Sequence, residues 1–172
     1  MSTNTSATLS NEHLTGQATH GEAVSFRARL FATNASWAPV LLRGALAVVM
    51  FPHGAQKALG WFGGYGFAGT MGFLTEKVGL PTPLAALVIA IEFLGPLFLL
   101  AGFATRFAAA GFIAIMLGAI FTTHLPNGFF MNWFGAQAGE GYEYHLLVIG
   151  MALALLVGGA GRASIDRKLG RS

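Results

Sequence analysis

Positions 107–139 contain no Asp, Glu, Lys or Arg, and the windows 44–56, 78–91, 93–105 and 144–161 are equally free of them. Runs of this kind suit hydrocarbon, where an ionised side chain is costly, and not water. Only 10% of the 172 residues are charged and 54% are hydrophobic, against roughly 25% charged in a soluble domain. The windows resolve into four apolar segments, at about 38–59, 83–103, 107–125 and 144–160, each near the ~20 residues that a spanning helix needs. Strands are a poor rival, because lipid-embedded backbone must bond internally and no dyad alternation is present. The expectation is an all-α, integral membrane four-helix bundle, with the fourth helix short.

Lys and Arg at the ends of these segments or beyond them divide seven (Arg27, Arg29, Arg106, Arg162, Arg167, Lys168, Arg171) against two (Lys57, Lys77), with Arg43 left out as it lies deeper inside the first segment. That bias places both termini in the cytoplasm, and a bacterial inner membrane as the location. Residues 1–36 then read as a polar tail and helix lead-in, disordered over 1–24, where no aromatic offsets the entropy of ordering. This stretch lacks the charged and apolar regions of a signal peptide. Residues 37–162 form the bundle, opened by Trp37 and Pro39, and 163–172 a basic cytoplasmic tail. The sequons at Asn4 and Asn34 fall on the inner side and are discounted. Ala110, Ala114 and Gly118, and likewise Gly150, Ala154 and Gly158, repeat small residues at a spacing that lets membrane helices approach. The chain has no cysteine, which excludes disulfides, thiol redox pairs and cysteine-ligated iron–sulfur clusters. The basic excess is small and membrane-patterned, so nucleic acid is set aside as a partner.

Glu92 lies mid-span in the second segment, where a carboxylate must face the bundle interior. Pro96, four residues on, cannot donate to the Glu92 carbonyl. Two readings stand for Glu92: proton acceptor or ligand anchor, and structural glue. Arg43 is the candidate ion-pair partner in the second, with snorkelling to the headgroups as its alternative. His53 and Lys57 share one face near the outer end of the first segment, and His124, Glu143 and His145 converge at the same level. A metal site lacks any diagnostic ligand pairing, and a bis-histidine haem needs two rings at matched depth. A quinone suits the cluster better, with His53, Lys57 and His124 as donors and Trp61, Phe129 and Trp133 as walls. Plain interfacial anchoring remains the simplest alternative. The GxGxxG match at residues 64–69 has no strand before it and is discounted.

The run Pro52-His53-Gly54-Ala55-Gln56-Lys57 before GWFGGYG, with GFLTEKVGLP, IEFLGPLFLLAGFATR, HLPNGFF, GYEYHLL and GRASIDR, resembles the DoxX family over about residues 38–168. That family is similar to the small membrane subunit of thiosulfate:quinone oxidoreductase. The resemblance implies that His53, Gln56, Lys57, Glu92, Arg106, His124, Pro126, Asn127 and Gly128 belong to the family pattern. The resemblance alone gives none of them a role; with the reading of the polar cluster, Glu92 and His53 are the candidate catalytic residues, and Lys57, Gln56, His124, Asn127 and Trp61 the candidate ligand-binding ones. Two functions stay open. One is a quinone-interacting membrane subunit of an oxidoreductase, with quinone as cofactor and an oxidoreductase partner or a second copy of the chain beside it. The other is a non-catalytic membrane anchor or assembly module; no motif in the chain makes a self-contained enzyme.

Overall fold

The computed structural model describes residues 31–170. The expected disordered tail, the first sequon, Arg27, Arg29 and Arg171 lie outside the described residues. Among those described, every regular element is helical. α1 is Ala38–Leu59 and α2 is Gly66–Gly72, which runs on through a π-helical turn at Phe73–Lys77. α3 is Thr82–Ala101, and α4 is Thr105–Ala119, continued by a π-turn at Ile120–His124 and a 3-10 turn at Leu125–Asn127. α5 is Glu143–Gly158 and α6 is Ile165–Leu169. Three stretches, Ala38–Leu59, Thr82–Ala101 and Thr105–Asn127, are long and apolar enough to cross a membrane; α5 is apolar but shorter, at 16 residues.

The boundaries follow from local chemistry. Pro39 stands in the first turn of α1 and prolines open α3, where no intrahelical N–H is needed. Gly60 and Gly102 close α1 and α3 in the left-handed conformation, at φ of 74° and 63°. The long helices pack in a ring, α1 beside α3, α3 beside α4, α4 beside α5 and α5 back on α1. Leu46, Met50, Leu99, Phe112, Val148 and Leu155 fill its centre and are fully or almost fully buried.

One end of the ring, the base, is sealed by polar groups. Thr33 Oγ1 accepts from the Gly161 N–H at 2.5 Å, Asn34 N donates to Gly158 O at 3.2 Å, and Arg162 N donates to Ser36 O at 3.0 Å. The carboxylate of Asp166 accepts from the N–H groups of Ala104 and Thr105, at 2.7 and 2.9 Å, and so caps α4 from a distant part of the chain. Arg106 donates to the carbonyls of Leu156 and Val157 at the end of α5.

The small residues do not act as their spacing suggests. Gly118 and Gly150 have open space where a Cβ would stand, and Ala110, Ala114 and Ala154 are exposed. Close approach comes instead at Gly54, whose Cβ would overlap the Glu92 carbonyl, at Gly95 against the Phe112 ring, and at Gly111 against Ile91. Pro96 explains the first of these. It leaves the Glu92 carbonyl without its intrahelical donor, and Gly54 brings the α1 backbone onto that carbonyl. Gly54→Ala is expected to push α1 from α3 and to lower stability in detergent by about 2 kcal/mol, whereas Gly44→Ala, which enters open space, changes it by less than ~0.5 kcal/mol. Equal melting temperatures for the two variants would contradict the contact.

Candidate functional site

At the end opposite the base, the mouth, a cavity of about 530 Å³ opens among α1, α3, α4 and α5, a size typical of small-molecule sites. α1 contributes His53 and Lys57, one turn apart; α3 contributes Glu92; the turn that ends α4 contributes His124; the first turn of α5 contributes Tyr144 and His145. Thr70, Thr122, Thr123 and Glu140 add polar groups, and the remaining walls are apolar. Phe73, Leu74, Val78 and Leu80 roof it from the segment after α2, and aliphatic side chains of α3 and α4 line its flank.

Lys57 Nζ donates to both carboxylate oxygens of Glu92, at 2.5 and 2.6 Å. This is the sole ion pair among the described residues. Glu92 is 2% exposed and Lys57 37%, so the ammonium keeps donors for a second acceptor in the cavity. Two aromatic contacts frame the pair. His53 packs on Tyr144 with ring centroids 5.7 Å apart, and His124 lies on His145 at 4.2 Å. Tyr144 Oη donates to the Met50 sulfur at 3.2 Å. The Glu140 carbonyl lies 2.8 Å from His124 Nδ1 and can only accept, so Nδ1 carries the proton and Nε2 of the neutral ring is an acceptor. His145 is 94% buried, and its Nδ1 has no hydrogen-bond partner. An unpaired buried ring nitrogen is costly unless a guest satisfies it.

The proposed Arg43 to Glu92 pair is corrected. Arg43 donates to the carbonyls of Leu99 and Ala163, at 3.2 and 2.6 Å, at the base. Depth is the reason: Gly54 is level with Glu92, and Arg43 lies eleven residues, about 16 Å, from Gly54 along α1. Of the candidate residues, His53, Lys57, Glu92 and His124 line the cavity, and Gln56, Trp61 and Asn127 do not. Gln56 donates to the Phe62 carbonyl and Asn127 to the Glu140 carbonyl, so both hold loops. Trp61 stacks edge-on against Phe62 and is 53% exposed. Phe129 and Trp133 are not walls either, and Glu143 turns away to accept from Met131 N and Trp133 Nε1. Tyr144, Glu140 and the 73–80 roof are the parts sequence reasoning missed; Tyr144 reads as an interfacial aromatic until α5 is placed against α1. Among the described residues no three His, Asp or Glu side chains converge to hold a metal ion.

Chemically, the mouth offers an ammonium, imidazole nitrogens able to donate or accept, and a carboxylate, all beside an apolar chamber. This suits a flat polar head attached to an apolar body. Lys57→Met strands a buried charge and is expected to cost about 2 kcal/mol in detergent melting, below the value for fully buried pairs because Lys57 is part exposed. Lys57→Met with Glu92→Leu is expected to recover more than half of that loss. A double variant no better than the single one would show that the pair does not couple the helices.

The DoxX family profile matches residues 38–125, from the start of α1 past His124. The protein named "Putative oxidoreductase CatD" of Bacillus subtilis (strain 168) is 32% identical over 116 residues, which are 67% of this chain and 76% of that protein. No solved structure matches the chain. The matched region holds Gly54, Lys57, Glu92 and His124 together with two of the spanning-length helices and all but the last two residues of the third, and this multi-pass membrane protein belongs to the DoxX family.

Proposed function

We propose that the protein is the quinone-interacting membrane subunit of an oxidoreductase system in the bacterial inner membrane, with four spanning helices and both termini in the cytoplasm. One observation carries the reading: Lys57, Glu92, His53, His124 and His145 gather polar groups in a cavity whose lining is mostly apolar. The orphaned Nδ1 of His145 and the accepting Nε2 of His124 support the fit, since a ring that alternates between carbonyl and hydroxyl needs both donors and acceptors around it. Bound quinone would supply a two-electron, two-proton couple. Lys57 donates to a ring oxygen and orients it, Glu92 holds the ammonium in place, and the imidazoles hold or pass protons at the opposite oxygen. The chain has no cysteine for a thiol relay of its own, and in this reading a partner oxidoreductase supplies the electrons. The name of the Bacillus relative supports the class of reaction.

The orientation rests on charge. Arg106, Arg162, Arg167 and Lys168 lie at the base, and Lys57 and Lys77 toward the mouth. The alternative of a non-catalytic anchor draws support from exposed Phe130, Trp133 and Phe134, a surface on which a partner could dock. The test is mass spectrometry of the lipophilic extract after purification in mild detergent. Near-stoichiometric quinone is expected in the wild type, with loss of most of it in a Glu92→Gln, His53→Ala variant that still resides in the membrane. A wild-type extract free of quinone would contradict the reading and favour the anchor.

A further inference from the structure

The cavity extends past its polar end into a lateral slot between α3 and α4. Leu84, Leu87 and Val88 form one wall on successive turns of α3, and Ala114 and Gly118 the other on α4. The slot has a floor, because a Cβ at Gly111 would stand 2.8 Å from Ile91 Cγ2, which marks where the two helices pinch together. Above the pinch they part. Gly118 has nothing within 4 Å of its Cβ position, and Leu84, Leu87, Ala114 and Gly118 are exposed. These residues belong to the two most hydropathic spans, at 2.4 and 1.8, so the slot opens toward the bilayer and not toward water. From Gly111 to Gly118 it measures about 10 Å along α4.

Resting on the quinone reading above, we infer that this slot is the tail channel of the site. The ligand is a quinone with a long apolar tail; it enters sideways from the bilayer between α3 and α4, with its ring against Lys57 and its tail along Ala114 and Gly118. The same cavity joins the polar pocket and the slot, which is why a single amphipathic molecule is the occupant. The missing side chain at Gly118 then has a function: it leaves room that a larger residue would fill without touching another part of the fold.

The experiment uses the full chain in one detergent and reads quenching of tryptophan fluorescence by decylubiquinone and by the ubiquinone ring without a tail. The wild type is expected to bind the tailed quinone at least about tenfold more tightly than the ring alone. Gly118→Leu and, separately, Ala114→Leu are expected to erase most of that difference while binding the ring as the wild type does. Gly150→Leu, also in open space but on α5 away from the slot, is expected to match the wild type. Unchanged affinity for decylubiquinone in both slot variants, or equal affinity of the wild type for the two quinones, would overturn the channel. If the bare ring does not bind and decanol displaces decylubiquinone from the wild type as well as unlabelled decylubiquinone does, the quinone assignment fails while the slot stands as an apolar-chain site.

Discussion

The ion pair between Lys57 and Glu92 is the constraint on which the rest of the mouth depends. A lone carboxylate at this depth would be prohibitive, and a lone ammonium little better, so each group makes the other tolerable only at hydrogen-bond distance. That distance requires α1 and α3 to touch. Pro96 strips the Glu92 carbonyl of its helical donor, and Gly54 removes the side chain that would keep α1 away. Backbone and side chain of one residue are thus both held against the same helix. His53 and Lys57, one turn apart on that helix, are fixed with it, and Tyr144 of α5 closes on His53.

The two ends of the bundle both bury polar groups but differ in what those groups face. At the base, Arg43, Arg106 and Asp166 make hydrogen bonds to helix termini and loop carbonyls, which ties residues 32–36 and 156–166 together, while Nε of Arg43 and of Arg106 and Oγ1 of Thr105 stay buried without a partner. At the mouth, donors and acceptors are left over: the outward side of Lys57, Nε2 of His124 and Nδ1 of His145. What separates the two ends is the cavity: the polar groups of the mouth line it and those of the base do not, so only at the mouth is there room for a guest to complete the hydrogen bonding. The side slot adds a hydrophobic route to the same place, which is why a lipid-soluble redox carrier is a more economical reading than a water-soluble substrate.

Much of the fold was legible because hydrocarbon imposes a one-dimensional code. Charge-poor apolar segments mark 38–59, 83–103 and 107–125, and the helices fall at Ala38–Leu59, Thr82–Ala101 and Thr105–Asn127. The grouping of His53, Lys57 and His124 at one end was legible for the same reason, since helix rise converts sequence position to depth. What failed was azimuth and pairing. Arg43 looked available to Glu92 until the level of α3 against α1 was known, and the local choice of partner then followed from depth. The repeats at Ala110 and Gly150 looked like packing motifs because composition carries no information on which face turns inward. Gln56, Trp61 and Asn127 shared the right neighbourhood, yet each is consumed by a loop whose course only the three-dimensional structure shows. The roof at residues 73–80 left no trace in spacing, because its place over the cavity arises from how the segment after α2 folds back on α3.

The central claim, that one short ion pair between α1 and α3 organises the site, is open to direct measurement by solid-state NMR in lipid bilayers. With lysine Nζ labelled by nitrogen-15 and the glutamate carboxyl by carbon-13, the expected result is a strong dipolar coupling between Lys57 and Glu92 that vanishes in Glu92→Gln. Absence of the coupling in the native protein, or its persistence in that variant, would contradict the account.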